Sequence, residues 1–156
     1  MAPIGPDGTC GEYHAATAER VLHKLPSLDM VRAAALPLVG QTVWDALVVK
    51  VGVASGDRTL ILAGAGGVGH VAIQLCKARG ATVYAPCSEA NLEFVREMGA
   101  VHAIDRNGED MGEVIGELTG GRGVDVILES TGGDHLERAI DLLAEGGRLA
   151  SIDVEK

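Results

Sequence analysis

Aromatic residues are scarce in this chain, with one Trp, two Tyr and one Phe among 156 residues, so its apolar weight falls on Ala, Val and Leu. Positive charge is short as well: 13 Lys and Arg stand against 22 Asp and Glu, for a formal charge of −9. That balance argues against nucleic acid or an anionic membrane surface as partner, because a phosphate backbone is held through an excess of Lys and Arg. Long apolar runs are missing too. Asp57, Arg58, Lys77 and Arg79 interrupt the hydrophobic regions, so no stretch approaches membrane-spanning length and no membrane partner is expected. The opening MAPIGPDGTCGEY lacks the basic start and apolar centre of a secretory signal, which places the chain in the cytoplasm. Cysteine is limited to Cys10, Cys76 and Cys87, an odd set without a C-x-x-C pair, as expected of free thiols in a reducing compartment. The length suits one domain with a real core and is too short for two.

What the chain does have is organised around Thr59 to Arg79, TLILAGAGGVGHVAIQLCKAR. The short unbroken run Leu60 to Ala63 has the character of a strand buried on both faces. Val68, Val71, Ala72, Leu75 and Cys76 follow at the i, i+3, i+4, i+7, i+8 spacing of an amphipathic helix. Between them Gly64, Gly66 and Gly69 supply G-x-G-x-x-G. The first glycine permits a tight turn, the second lets main-chain N–H groups approach a pyrophosphate, and the third lets helix and strand pack closely. The unpaired N–H groups and positive dipole end of the helix then face the phosphates, with Ala65, Gly67 and Val68 completing the bend. Glycines kept for packing alone are the competing explanation.

Met1 to Gly11 is Gly- and Pro-rich without periodicity. Glu12 to Ala16 and Val21 to Leu25 suit short extended pieces, and Asp29 to Leu36 suits a helix capped by Ser27. After Pro37 a second helix is expected to about Val51. Beyond the glycine turn the alternation is regular. Strands are expected at Ala81 to Ala85, Val101 to Ile104, Val124 to Leu128 and Arg148 to Ile152. Pro86 to Ser88 is expected as a turn, with Ser88 capping a helix that carries Leu92, Val95 and Met98. Further helices carry Met111, Val114, Ile115 and Leu118, then Leu136, Ala139, Ile140 and Leu143, with Gly146 and Gly147 as breakers. Strands separated by helices imply right-handed crossovers and an α/β, doubly wound parallel sheet of Rossmann type in the order 3-2-1-4-5. The turns at Gly64 to Gly69 and at Gly132 and Gly133 then flank one cleft.

With these elements placed, the segments LPLVGQTVWDAL, GDRTLILAGAGGVGHVAIQLCKARGATV, MGAVHAID, ELTGGRGVDVILESTGG and LLAEGGRLASI resemble the cofactor domain of the medium-chain dehydrogenases and reductases. Within that superfamily the chain is similar to zinc-independent quinone oxidoreductases and to enoyl reductase domains of polyketide synthases. The resemblance implies an oxidoreductase that passes hydride from a nicotinamide to a quinone, enone or enoyl thioester, with a small-molecule substrate held by the full-length enzyme. It makes residues 1–25 a remnant of the catalytic lobe and 26–156 the dinucleotide-binding domain, with the sixth strand missing and the fragment alone inactive. Residues of the metal-binding branch would fall near Leu38 and Val39, neither a ligand type, and Cys10 with His14 lacks a second pair, so no metal is expected. A non-catalytic dinucleotide-binding or scaffold module and a zinc-type alcohol dehydrogenase cofactor domain are the alternatives.

The end of strand two reads Tyr84, Ala85, Pro86, Cys87, Ser88, without the carboxylate that holds the ribose hydroxyls in a classical NAD site. That end leaves room for a 2′-phosphate and favours NADP, with NAD as the alternative. Asn91 lies where relatives carry Lys, and Glu89 is near enough in sequence to oppose a phosphate. Arg106 is the candidate cation, with a solvated loop arginine as its competing explanation. The resemblance places Thr42 near the nicotinamide and Thr131 and Gly132 after strand four on the same side; a helix hydroxyl bonded to its own backbone is the alternative for Thr42. No residue is assigned a catalytic role: His70, His14, His23, His102 and His135 are scattered, and Glu113, Glu117, Glu137 and Asp141 lie on polar helix faces. The open edge of strand five suggests a homodimer or cover by a tail.

Overall fold

The computed structural model describes residues 12–132 and 134–152; for Arg20, Asp134 and His135 it describes the backbone alone. Cys10 and Gly133 therefore lie outside the described residues, as does the Gly- and Pro-rich start. The elements follow one another as α1 (Met30–Trp44), a π-helical turn (Asp45–Lys50), β1 (Arg58–Ile61), α2 (Gly67–Ala78), β2 (Thr82–Cys87), α3 (Leu92–Met98), β3 (His102–Asp105), α4 (Met111–Thr119), β4 (Val124–Glu129), α5 (Asp134–Ile140) and β5 (Leu143–Ser151). All four strand pairings are parallel, and the order is β3-β2-β1-β4-β5, as the alternation of strand and helix implied.

The strands alternate as a sheet covered on both faces must. Ile61, Val83, Ala85, Val126 and Leu128 join Leu47, Val53, Ile73 and Val95 in a larger apolar cluster, while Leu60, Tyr84, Ile104 and Ile127 join Ile115 and Ala139 in a smaller one. Helices α1, α2 and α3 with the π-helical turn thus cover one face and α4 and α5 the other. A fully buried Leu or Ile contributes about 1.5–3 kcal/mol, so aliphatic side chains carry most of both clusters, with Tyr84 as an aromatic member of the smaller.

Several sequence expectations are corrected. Glu12 to Ala16 and Val21 to Leu25 form no strand, because no sheet neighbour pairs with them. Ser27 is not the cap of α1; Asp29 is, accepting the Arg32 N–H at 2.7 Å. Nor does Pro37 divide two helices, since α1 runs through it from Met30 to Trp44. Pro37 removes one hydrogen bond, but burial of Ala33 and Val43 in the helix, and of Ala46 and Leu47 in the π-helical turn that continues it, holds the segment together. Pro86 and Cys87 belong to β2 rather than to a turn, opposite Ile104 and Asp105 of β3. A proline fits there because it pairs through its carbonyl, which accepts the Gly64 N–H at 3.1 Å. Ser88 caps no helix through its side chain; its hydroxyl accepts from Asn91 Nδ2 at 2.9 Å, and a short 3-10 turn, Glu89–Asn91, leads into α3. Leu143 is the first residue of β5 rather than the last apolar contact of α5, and Gly146 and Gly147 sit within that strand where its register to β4 shifts. Gly99, by contrast, ends α3 as expected, in the left-handed conformation at φ 119°.

Candidate functional site

β1 delivers the chain to Ala63, whose φ of 52° is the only left-handed value of a non-glycine among the described residues. Its carbonyl accepts the Gly66 N–H at 2.8 Å, closing a turn that ends at the start of α2. The three motif glycines are needed for distinct steric reasons. A Cβ on Gly64 would stand 2.8 Å from the Ala85 Cβ, so the first glycine lets β1 end against β2. One on Gly66 would meet the Ala63 carbonyl oxygen at 3.1 Å, and one on Gly69 would lie 2.2 Å from that same oxygen. Gly69 is thus where α2 touches the turn that leads out of β1. Gly67 has open space around it, with nothing nearer than Val39 Cγ1 at 3.9 Å.

Gly66, the N-cap residue of α2, makes no side-chain cap hydrogen bond, and both it and Gly67 are exposed. The first-turn N–H groups of α2, with the positive end of the helix dipole, therefore open outward at the C-terminal edge of the sheet between β1 and β4. His70 stands at the side of this opening, its Nδ1 2.8 Å from the Gly66 carbonyl oxygen and its ring 6.0 Å from Phe94.

A cavity of about 580 Å³ extends from this opening over the ends of β1, β2 and β4. Ala65, Gly66, Cys87, Ser88, Asn91, Arg106 and Thr131 all line it, so residues from four separate stretches of sequence meet there. Gly64, Gly67, Val68 and Gly69 form the turn and helix start behind that wall, and Gly132 is buried. The sequence did not point to Arg138, which lines the cavity from α5, or to Glu109 and Asp110, which line it ahead of α4. Both acids are already engaged by backbone: Glu109 accepts the Asp105 N–H at 2.7 Å, and Asp110 caps α4 by accepting the Glu113 N–H at 3.0 Å. Cys87 is buried in the wall, and desolvation pushes its thiol pKa up.

Thr42 lies elsewhere. It lines a second hollow of about 440 Å³ between α1, the π-helical turn and β5, together with Asp45, Lys50 and Ser151. Its hydroxyl donates to the Leu38 carbonyl at 3.0 Å, the local helix bond that was the alternative for this residue. π-Helical turns often border functional sites, and here the turn carries Asp45 and Lys50 into the hollow.

Between the two hollows stands Glu129, the last residue of β4 and fully buried. One carboxylate oxygen, Oε1, accepts from the Thr131 N–H and hydroxyl, the latter at 2.7 Å, and from the Gly132 N–H at 2.7 Å. The other, Oε2, accepts from the Ser151 hydroxyl at 3.0 Å. Desolvation alone would raise its pKa, but the hydrogen bonds from Thr131, Gly132 and Ser151 outweigh it and hold the carboxyl below its ordinary value. No spacing in the sequence marks this residue, because its partner Ser151 arrives only with β5. Among the described residues, no group of three or more His, Cys, Asp or Glu is placed to hold a metal, and no helix is long and apolar enough to cross a membrane.

A glycine turn and an open helix end at the point where the strand order reverses define a Rossmann-type α/β domain. Residues 67–154 match the family model described as zinc-binding dehydrogenase, and the chain belongs to that family, within the medium-chain dehydrogenase/reductase superfamily. It is 37% identical over 152 residues to 2-haloacrylate reductase of a Burkholderia species, covering 95% of this chain and 45% of the relative. To the mitochondrial NAD(P)H oxidoreductase RTN4IP1 of Mus musculus it is 40% identical over 146 residues, 90% of this chain and 36% of that protein. Among solved structures, the CurK enoyl reductase superposes with a TM-score of 0.84 at 32% identity, covering 90% of this chain and 43% of that one. The quinone oxidoreductase of Coxiella burnetii does so with a TM-score of 0.77 at 38% identity, covering 87% and 41%. The relatives are oxidoreductases, and the chain spans less than half the length of each of these four.

Proposed function

We propose that this chain is the cofactor domain of an oxidoreductase and binds a nicotinamide dinucleotide, NADP(H) in preference to NAD(H), with its diphosphate on the main-chain amides at the start of α2. The observation that carries this is the open helix end. Gly66 and Gly67 are exposed, no side chain caps the first turn, and a Cβ at Gly66 would press on the Ala63 carbonyl. An anion fits such a position because unpaired N–H groups and the helix dipole converge there. The cavity leading away from it is lined by Ser88, Asn91 and Arg106 as well as by the turn, and the adenosine ribose would lie beside those three.

The preference for the 2′-phosphate rests on charge. The end of β2 carries no carboxylate, and among the described residues no hydrogen bond or ion pair engages the Arg106 guanidinium. Arg106 is therefore free to take a phosphate, and Arg138 adds a second cation to the same cavity. Opposing them, Glu109 and Asp110 are partly neutralised by the backbone amides that they accept. A bound reduced nicotinamide would supply hydride to an activated double bond or a quinone, the chemistry of the relatives; the chain's own residues bind and orient it. Residues 1–25 would then belong with the lobe that holds the substrate. Calorimetric titration with NADPH and NADH in parallel tests the proposal. NADPH is expected to bind more tightly, and R106A to weaken NADPH about tenfold while leaving NADH unchanged, which corresponds to one lost charge-assisted hydrogen bond. Equal affinities would remove the NADP preference, and no binding of either would remove the site.

A further inference from the structure

Glu129 is the only charged residue in the core among the described residues, and it carries no catalytic duty in what precedes. Its surroundings are all donors. An ionised carboxylate accepts hydrogen bonds and cannot give one, so the hydroxyls of Thr131 and Ser151, 2.7 and 3.0 Å away, must both turn their protons toward it. The Thr131 and Gly132 amides are spent on the same oxygen, Oε1. Those amides cannot then serve the diphosphate, although they sit beside its cavity. Thr131 is exposed and lines the cavity, and its hydroxyl oxygen, whose proton is committed to Glu129, keeps its lone pairs for accepting. Such an oxygen repels a phosphate oxygen and accepts from a hydroxyl.

We propose that Glu129 is a positioning residue that fixes the polarity of this wall, so that Thr131 accepts a hydrogen bond from a ribose hydroxyl of the dinucleotide. The proposal rests on the dinucleotide site described above. It assigns different tasks to the groups around the cavity: amides and arginines for phosphate, and an acceptor-only threonine for sugar. Ser151 holds the second carboxylate oxygen and thereby ties the loop after β4 to β5, which keeps the arrangement from swinging out.

The test is a double-mutant cycle on the full chain, with NADPH as the probe and dissociation constants read from nicotinamide fluorescence alongside thermal midpoints. T131V is expected to weaken NADPH about tenfold, roughly one hydrogen bond, whereas T131S, which keeps the hydroxyl, binds as the parent does. E129Q is expected to weaken binding by a similar factor, because the amide can donate and the threonine proton is released to rotate. In the E129Q background T131V should then add little. If E129Q does not fold, E129D takes its place in the cycle. Unchanged affinity in T131V, failure of T131S to rescue, or full multiplication of the two effects would overturn the positioning role while leaving the dinucleotide site standing. Absence of NADPH binding by the parent chain would overturn both.

Discussion

The Ala63 carbonyl oxygen separates two kinds of glycine in the motif. At Gly69 an added methyl would sit 2.2 Å from that oxygen and 2.9 Å from the Gly64 backbone, with no flexible side chain to yield. G69A should therefore destabilise the chain by about 3 kcal/mol or more, read as a fall in the urea midpoint. At Gly67, the first residue of α2, the space is open, and G67A should raise stability by about 0.5 kcal/mol through helix propensity. Titratable residues give a second check. The folded pKa of Glu129 is lowered, so the stability it contributes is complete above the ordinary carboxyl value of 4.5 and is lost as the pH falls through the depressed one. Cys76 runs the other way: burial raises its thiol from 9.0 to about 11, so its contribution is complete below pH 9 and drains away as the pH climbs to about 11. Denaturation midpoints measured at both ends of the pH scale, with E129Q and C76A as controls, should flatten at the acid and alkaline ends respectively. The glycine turn was legible in the sequence because its requirement is steric and local. Glu129 was not, because a Glu at a strand end has solvent as its default, and one of its two hydroxyl partners, Ser151, lies 22 residues away.

Elements were misread wherever a local rule met a stronger tertiary one. Pro37 and the glycines at 146 and 147 read as breaks, yet α1 passes through the first and β5 through the second. In each case burial decides, through Val43, Ala46 and Leu47 for the helix and Ala144 and Ala150 for the strand. Pro37 should still cost the helix what a missing N–H and a ring clash cost, so P37A is expected to stabilise by about 1–3 kcal/mol in equilibrium unfolding. β2 shows the same logic in reverse: Pro86 ended the expected strand two residues early, although its carbonyl is the group that the sheet uses. The helices α2 and α4 were read well because their apolar stripes are regular. α4 ends at Gly120, with a φ of 64°, as the glycine cluster suggested.

For the whole molecule, the strand order followed from alternation and crossover handedness alone, since few other topologies satisfy both. What alternation could not give is the inequality of the two faces, because cluster size depends on α1 and the π-helical turn packing from outside the βα repeat. Among the described residues β5 is an edge strand of the sheet, and α1 and the π-helical turn expose Met30, Val31, Leu38, Trp44 and Val49. Self-association of the isolated chain is the expected outcome, measured by sedimentation velocity; a monodisperse monomer would count against it. NADPH oxidation dependent on a quinone or enone should be absent from the chain alone, and full turnover would show that its substrate pocket lies within these residues.

Among the described residues, the smaller cluster beneath α4 and α5 holds eight buried residues against eighteen in the larger, and it carries Met111 and Arg138 to the cavity wall. Backbone amides on that side should consequently exchange with deuterated solvent first, leaving α2 and β1 as the slowest-labelled segment of the chain. A nucleotide that spans the crevice would slow the labelling of α5 more than that of α1, turning the lopsided interior into a gauge of occupancy.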